Sequence, residues 1–531
     1  MTCTVTMAGS IENNRPWSVL LITVDNLRPD RMSLYGHERN TTPYLDKFAD
    51  ESAIFDNAFS TSAWTAPGMV SIFTGYYPPV HAQHGRFSFY DKEMTAAFRT
   101  LAAQGYEILG QAIRGPSHGG FGFQKHLGQG SKRQLEDFIE QRIGNQTPFF
   151  AWAHIKDVHL PYAPTEKNAR RFGATSHSSK AIEAVRKHRM ILRHPERVDI
   201  DFTHAGKVEF NAEDIRMVQA LYDAEVADVD ERLRLNLEKM RATGLLDHTI
   251  VIISADHGEE LFDHGWLGHA STGYDAKLYD ELIRVPLIIR LPDQSLTGRY
   301  DAMVQGVDFM PTIFDILGVS AAGMRPQMQG HSLLPIMEGK TKQVRDYVFN
   351  QTSMKGWTTP KDEMPQRVVS VRSTSKKLIR IPNGDGTRLE AYDLRQDPDE
   401  LNDVYSAGSE EFVELENALQ DWMIDNRSRA AELVEAAAGK RTDSIAGAVL
   451  GDGGLGEAVK DWTSIQTMEA TWGLEPDRFY QHEPYATSWQ QIQRKAAYMI
   501  GRAMDCKSKG GVLRSKNSQQ PRDTESWHCD I

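Results

Sequence analysis

The sequence predicts an α/β protein with a doubly wound, mostly parallel central sheet, and two observations support this. Three apolar runs, 18–24, 149–153 and 249–254, have the continuous pattern of strands that are buried on both faces. Segments with helical spacing alternate with these runs, and polar residues follow each run. Because the carboxyl ends of parallel strands share one edge of the sheet, we expect a functional site along that edge.

Helices are predicted between and after these strands. The first has an apolar face formed by Leu45, Phe48, Ala49 and Ala53. A longer helix is expected to begin at Asn211, whose side chain can cap it, and residues 222–237 keep helical spacing. Residues 285–290 form a later predicted strand, and residues 308–317 form a helix that Gly318 ends.

Changes in composition divide the chain into four predicted parts. These are a polar N-terminal segment (1–16), a large α/β domain (17–340), a smaller α+β subdomain (341–426) and a helical extension with a polar tail (427–531). The subdomain is expected to contain short strands at 368–372, 377–381 and 390–394 and a helix over 409–425. Amphipathic helices are expected over 456–471 and 488–505, followed by a tail that is disordered or ordered by a partner. We expect this extension to be an addition to the core and a candidate surface for homo-oligomer formation.

The composition excludes several classes of protein. A formal net charge of −12, with 40% hydrophobic and 25% charged residues, is typical of a globular protein and argues against nucleic-acid binding. Three cysteines, at positions 3, 506 and 529, are too few for a disulfide framework. Residues 1–16 lack the apolar core of a signal peptide, and no apolar run is long enough to span a membrane. We therefore expect a cytoplasmic location.

The segment 65–75, with the sequence TAPGMVSIFTG, is the most informative motif. Thr65 is predicted to open a helix that has Pro67 in its first turn and Gly75 near its end. Backbone amides at such a helix start favour an anionic group. Further motifs stand at 24–30, 35–36, 42–46, 255–259, 278–287 and 392–402. Together and in this order they resemble the sulfatase family of the alkaline-phosphatase superfamily over roughly residues 17–425, which implies that 17–340 is the catalytic domain.

Three residues of the 65–75 segment depart from the sulfatase pattern. Sulfatases carry a cysteine, or sometimes a serine, where this chain has Thr65, and an enzyme oxidises that residue to formylglycine. Threonine is no substrate for this conversion, so no formylglycine is expected. Met69 stands where sulfatases have an arginine that helps to hold formylglycine, and Gly68 replaces their serine. A hydroxyl on a metal is what the phosphoryl-transfer members of the superfamily use, so the resemblance combined with Thr65 favours chemistry at phosphorus.

The resemblance implies a divalent metal ion. Its ligands would be Asp25, Asp256, His257 and the oxygen of Thr65, with Asn26 as a further ligand. Carboxylates and an imidazole suit a hard or borderline cation. Mn²⁺ or Zn²⁺ is expected, with Ca²⁺ as the alternative, because the neutral Asn26 replaces an aspartate that is common in sulfatases. The sequence leaves a second metal open.

Several histidines correspond to positions where the family contacts its oxyanion. His159 and His269 are expected to act in catalysis by protonating the leaving oxygen. Substrate contacts are predicted for His118, Arg114 and His264, and His264 has the alternatives of contacting the leaving group or serving a second metal. His154 lies inside a predicted strand and is expected to be a satisfied core histidine.

The resulting functional hypothesis is a metal-dependent hydrolase of phosphate, phosphodiester or phosphonate esters with a threonine nucleophile. Two enzymatic alternatives remain: a sulfuric-ester hydrolase that works without formylglycine, and a transferase of a phosphoryl-linked head group. A non-catalytic binding subunit with a sulfatase fold is the alternative from another class. The expected partner is a small anionic ester, whose identity the sequence does not give.

Overall fold

The computed structural model describes most of the chain. The described residues are 16–84, 96–111, 123, 125–127, 133–174, 210–269, 276–322, 327–354, 366–383, 386–406, 410–430, 512–515 and 527–530. The predicted helices over 456–471 and 488–505 and the N-terminal segment 1–15 lie outside these residues.

A large mixed sheet forms the centre of the molecule. Its strands are β1 (Ser18–Val24), β2 (Ala53–Phe59), β3 (Glu107–Gln111), β4 (Lys125–Leu127), β5 (Phe149–Ile155), β6 (Thr249–Ala255), β9 (Arg284–Arg290) and β10 (Gly298–Gln305). A short hairpin, β7 (Glu260–Leu261) with β8 (Leu267–Gly268), lies outside it. The strand order in the large sheet is β10-β2-β9-β6-β1-β5-β3-β4.

The central strands confirm the predicted parallel arrangement. β1 pairs in parallel with both β5 and β6, and all seven residues of each of these strands are buried. This burial explains why their sequences are continuous apolar runs and not alternating ones. β9 is the exception, since it runs antiparallel to both of its neighbours, β2 and β6.

Helices cover the sheet. Among the described residues they are α1 (Pro43–Phe48), α2 (Thr65–Thr74), α3 (Pro78–His81), α4 (Ala96–Ala103), α5 (Gln134–Arg142), α6 (Glu166–Arg171), α7 (Ala212–Ala242), α8 (Asp280–Ile283), α9 (Phe309–Ile316), α10 (Leu334–Met337) and α11 (413–430). Short 3-10 helices cover Pro29–Arg31, Ser33–Tyr35, Ala49–Glu51, Leu246–His248 and Gly306–Asp308. Within this part of the chain, none of the helices combines the length and apolarity needed to cross a bilayer.

Within the described residues, the helix predictions hold with one correction. Asn211 caps α7, and its side chain accepts hydrogen bonds from the backbone amides of Glu213 and Asp214. Ala53, predicted on the face of the first helix, instead begins β2. The helix ends earlier because the Ser52 hydroxyl donates to the Phe48 carbonyl at 2.7 Å while the backbone of Ser52 turns extended.

The C-terminal part forms a second, antiparallel sheet, as predicted. Its strands, in spatial order, are β11 (Val348–Ser353), β12 (Arg367–Arg372), β13 (Lys376–Asn383) and β14 (Gly386–Asp393). β11 was not among the predicted strands. It bridges the two sheets, because the Gln351 amide donates to the carbonyl of Thr61, just after β2, at 2.9 Å. In the tail, β15 (Val512–Ser515) pairs with β16 (Trp527–Asp530), where the sequence predicted an arm without structure of its own.

Candidate active site

Helix α2 carries the candidate nucleophile. Thr65 is its first residue, Trp64 before it is extended, and Gly75 ends it with a φ of 70°. The nine residues that follow Thr65 in the helix are all buried. Met69 is one of them and packs in the main hydrophobic core, so the position that sulfatases fill with arginine contributes no charge here. The helix is thus a rigid base from which only the Thr65 side chain is partly accessible.

Gly68 is required by close packing between α2 and the residue that follows β6. A Cβ at this position would lie 2.7 Å from the Asp256 carbonyl oxygen and 3.1 Å from Ser60 Oγ. We expect Gly68→Ala to lower the free energy of unfolding by about 1–3 kcal/mol and to displace Asp256. Ser60→Ala should not rescue it, because the closest atom is backbone; urea unfolding of the single and double variants measures this. A Gly68→Ala protein as stable as the wild type would contradict the packing.

Asp25, Asp256 and His257 form a candidate metal site at the carboxyl edge of the sheet. Asp25 follows β1, and Asp256 and His257 follow its parallel neighbour β6. One ligand atom from each of the three lies within 4.8 Å of the others, and all three residues are buried. The His257 Nδ1–H donates to the Gly258 carbonyl at 2.7 Å, which leaves Nε2 with a lone pair for a cation.

The Thr65 hydroxyl completes this arrangement. Its Oγ1 lies 3.3 Å from His257 Nε2 and 3.4 Å from Asp25 Oδ1. His257 Nε2 is 3.6 Å from Asp256 Oδ2 and 3.9 Å from Asp25 Oδ1. These separations are long for hydrogen bonds. They match the roughly 3.4 Å between donors that surround a tetrahedral ion at about 2.1 Å, so the four side chains fit a metal ion.

The pKa values of the three buried side chains also fit a metal ion. Burial and the neighbouring Asp25 raise the pKa of Asp256 to about 8. Burial alone would also raise the pKa of Asp25, but the imidazoles of His154 and His159 hold it well below its usual range. Burial lowers the pKa of His257, which favours the neutral form that a metal requires. Two buried carboxylates at one point need a cation to be ionised together.

Asn26 lies beside this triad in a strained conformation. Its φ is 66°, in the left-handed region that asparagine tolerates better than most residues. Its backbone amide donates to Asp256 Oδ1 at 3.2 Å, and its backbone carbonyl accepts from the Tyr222 hydroxyl at 2.6 Å. Among the described residues, neither Asn26 Oδ1 nor Asp256 Oδ2 has a hydrogen-bond partner, although both are buried. Such oxygens are available as metal ligands.

His269 and His159 lie next to the candidate metal ligands, and their catalytic role stays a prediction. The His269 ring centroid is 5.0 Å from that of His257 and 4.9 Å from that of His159. His269 Nδ1 is 3.0 Å from Glu259 Oε1 and also 3.0 Å from Asn26 Nδ2. Burial raises the pKa of Glu259 to about 7, against the opposing effect of His159 and His257. The sequence contained Glu259 only as part of a motif and gave it no role.

Of the other predicted contact residues, the structure describes His264. His264 Nδ1 is 3.0 Å from Glu281 Oε1, its Nε2 is 3.0 Å from the Glu400 carbonyl, and its ring stacks on Tyr279. These contacts tie the loop before β8 to the C-terminal subdomain, so the predicted substrate contact of His264 stays a prediction. His118 and Arg114 lie outside the described residues.

A buried histidine, His81, contacts helix α2 through Ser71. His81 Nε2 is 3.0 Å from Ser71 Oγ, and His81 Nδ1 accepts from the Gln83 amide at 3.2 Å. Burial lowers the pKa of His81 to about 3. The folded protein therefore keeps this ring neutral at pH values where the unfolded chain, with an ordinary pKa of about 6.5, takes up a proton.

This difference predicts acid destabilisation. The unfolded state binds more protons than the native state between about pH 6.5 and pH 3, so stability falls as the pH falls through that window. His81→Gln cannot titrate, and we expect its stability loss between pH 7.5 and 5 to be smaller than that of the wild type by about 2 kcal/mol. Urea unfolding at both pH values tests this, and parallel losses in the two proteins would refute it. Burial, with smaller effects of Arg367 and His81, also lowers the pKa of His84, so this residue adds an acid-dependent loss in both proteins.

The fold and this site define a sulfatase-like hydrolase that acts on ester bonds. A mostly parallel sheet presents a helix-borne hydroxyl beside two carboxylates and an imidazole at its carboxyl edge. The family model described as Sulfatase matches residues 18–111 and 81–319, more than half of the chain, and the model of the N-sulphoglucosamine sulphohydrolase C-terminal region matches residues 264–429. The chain belongs to the sulfatase family.

Individual relatives include sulfatases and a phosphonate hydrolase. N-acetylglucosamine-6-O-sulfatase of Bacteroides thetaiotaomicron is 23% identical, over 79% of this chain and 87% of the relative. Arylsulfatase K of Xenopus laevis is 22% identical, over 78% of this chain and 84% of the relative. The crystal structure of phosphonate monoester hydrolase from Agrobacterium radiobacter matches with a TM-score of 0.59 and 21% identity, over 78% of this chain and 96% of that one. These likenesses support the sulfuric-ester alternative better than the phosphoester hypothesis.

Proposed function

We propose that this chain hydrolyses the ester of a small tetrahedral oxyanion with the Thr65 hydroxyl as the nucleophile. The observation that carries the proposal is the position of Thr65 Oγ1, 3.3 Å from His257 Nε2 and 3.4 Å from Asp25 Oδ1 at the start of α2. The fit of Asp25, Asp256, His257 and Thr65 to a divalent ion supports metal dependence, with Asn26 Oδ1 as a further donor. Mn²⁺ or Zn²⁺ suits this mixed oxygen and nitrogen set better than Ca²⁺.

The bound ion would supply positive charge that lowers the pKa of the Thr65 hydroxyl and offsets charge on the ester oxygens. Thr65 Oγ1 attacks the central atom, a new bond to that atom forms, and the bond to the leaving oxygen breaks. His269 or His159 gives a proton to the leaving oxygen. Water then attacks the central atom and gives a proton to the same histidine, the bond to Thr65 Oγ1 breaks, and the threonine oxygen is released.

The chemistry of threonine favours phosphate, phosphodiester or phosphonate esters as substrates. A formylglycine hydrate expels sulfate by collapsing to an aldehyde, so water never has to attack sulfur in the second step. The Thr65 carbon carries no second hydroxyl, and its sulfate ester would have to be opened by water at sulfur, which is slow. A phosphorylated threonine can be opened by in-line attack of water when nearby positive charge neutralises the oxygens.

Sulfuric esters are the second candidate, and the comparisons favour them. The curated relatives named above are sulfatases, whereas phosphonate hydrolysis comes from a structure that is 21% identical. These matches cover 78–79% of the chain and do not identify its nucleophile. A head-group transferase uses the same covalent step and differs only in the acceptor, an alcohol in place of water.

A matched ester series separates these candidates. Purified protein, with its metal content measured, is given the phosphate monoester, phosphate diester, phosphonate and sulfate esters of one aryl alcohol. We expect the highest kcat/KM for a phosphorus ester. A clear preference for the sulfate ester would establish the second candidate, and no turnover of any ester by metal-loaded protein would favour the non-catalytic alternative.

A further inference from the structure

His154 was expected to be a satisfied core histidine, but it contacts a candidate metal ligand. Its Nε2 lies 3.4 Å from Asp25 Oδ2, and its Nδ1 lies 2.8 Å from Thr23 Oγ1. All three side chains are buried. This contact lies on the opposite side of the Asp25 carboxylate from Thr65, whose hydroxyl is 3.4 Å from Oδ1.

Strand register brings these residues together. Thr23 of β1 is the Cα partner of His154 in the parallel neighbour β5. Side chains two apart in a strand share a face, so Thr23 and Asp25 lie on the same side of the sheet as Trp152 and His154. The Asp25 backbone is also fixed to β5, because its amide donates to the Ile155 carbonyl at 2.7 Å.

These residues can form one consistent chain of hydrogen bonds. The Trp152 indole is only a donor, and its Nε1–H donates to Thr23 Oγ1 at 2.9 Å. The Thr23 hydroxyl keeps its own hydrogen and can donate it to His154 Nδ1, 2.8 Å away. An imidazole that accepts at Nδ1 carries its proton on Nε2, the atom that faces Asp25 Oδ2.

From this geometry we infer that His154 is a positioning residue for the proposed metal site. The buried relay from Trp152 through Thr23 to His154 sets the tautomer with the N–H on Nε2, which faces Asp25 Oδ2 at 3.4 Å, a contact longer than an ordinary hydrogen bond but close enough to orient the carboxylate. The Asp25 carboxylate is thereby held with Oδ1 turned toward Thr65 and His257, where a cation would be bound. Hydrogen bonds to metal ligands commonly set their orientation, and losing one weakens metal binding about 10- to 100-fold.

Three variants test this role, which rests on the proposed function. His154→Phe keeps a ring of similar volume but removes the donor to Asp25. His154→Gln replaces Nε2–H with an amide N–H of similar reach. Thr23→Val keeps the shape of the threonine and leaves His154 in place, but it removes the group that sets the tautomer.

The measurement is the Kd for Mn²⁺ and for Zn²⁺, by calorimetric titration of metal-free protein, together with the Tm of the metal-free form. We expect His154→Phe to raise the Kd about 10- to 100-fold, His154→Gln to retain most of the affinity, and Thr23→Val to fall between them. Metal binding should raise the Tm, and at low metal concentration this rise should be smaller in the weakened variants. Metal added well above the raised Kd should restore most of the rise.

The outcomes separate this inference from the proposed function. A wild-type protein that binds neither ion would refute the metal site itself. If the wild type binds metal and His154→Phe binds it equally well, His154 has no positioning role. Equal losses in the Phe and Gln variants would assign the effect to packing and overturn the inference. Should His154→Phe not fold, an unchanged Kd in Thr23→Val would overturn it as well.

Discussion

Replacing Thr65 with alanine is expected to lower kcat by at least about 10⁴-fold, because removal of a nucleophile leaves only the binding and polarising groups of a site. Thr65 is the first residue of α2, and among the described residues its hydroxyl contacts candidate metal ligands, so the Tm of the metal-free protein should change little. Thr65→Ser keeps the hydroxyl and should retain partial activity. Steady-state kinetics with the preferred aryl ester measures both effects.

Thr74→Ala is the matched control for this substitution. Thr74 is the last residue of the same helix, and its hydroxyl donates to the Val70 carbonyl at 2.7 Å, well within the buried part of α2. Loss of that hydroxyl should cost some stability and leave kcat close to the wild-type value. If Thr65→Ala turned over the ester as fast as Thr74→Ala, Thr65 would not be the nucleophile.

Asp256→Asn is expected to have the second large effect, on metal binding. The substitution keeps size and an oxygen but removes one of the two buried carboxylate charges, so the Kd for Mn²⁺ or Zn²⁺ should rise more than about 100-fold, with activity falling in parallel. In metal-free protein the same change removes the cost of burying a carboxyl group beside Asp25, since burial and the charge of Asp25 raise the pKa of Asp256 to about 8. The metal-free variant should therefore have a higher Tm than the metal-free wild type.

Asp230→Asn provides the control. Asp230 is also buried, but its carboxylate accepts hydrogen bonds from the amides of Tyr44 and Leu45 at the start of α1. It should leave metal stoichiometry unchanged, as measured by elemental analysis of the purified protein. Full metal content with an unchanged Kd in Asp256→Asn would show that the cation, if any, is held elsewhere.

The strands at the centre could be predicted because burial on both faces leaves a direct record in the sequence. β1, β5 and β6 are continuous apolar runs, and the polar residues after them meet at one edge because the strands are parallel. The sequence of β11 contains no such apolar run. Its sequence, VFNQTS, is rich in polar residues, and those side chains are buried by pairing with β12 and with the loop after β2.

The candidate site also contains residues that could be predicted from the sequence and contacts that could not. Asp25, Asp256, His257 and Thr65 could be recognised as a set through the resemblance to sulfatases, and each stands at the end of a strand or the start of a helix. The contact of His154 with Asp25 depends on the register between β1 and β5, which no local pattern specifies. His264 is bound by Glu400, 136 residues further along the chain, so its structural contacts could not be read from its own motif.

The central claim is that Thr65 carries the transferred group, and a rapid-quench measurement tests it most directly. Esters of one preferred oxyanion with progressively better leaving groups are compared until kcat no longer rises, the point at which breakdown of a common intermediate limits the rate. At that plateau, mass spectrometry of the peptide containing Thr65 should show the added group on Thr65, with a burst of leaving group equal to the active sites. Turnover at the plateau with an unmodified Thr65, or with the group on another residue, would contradict the account.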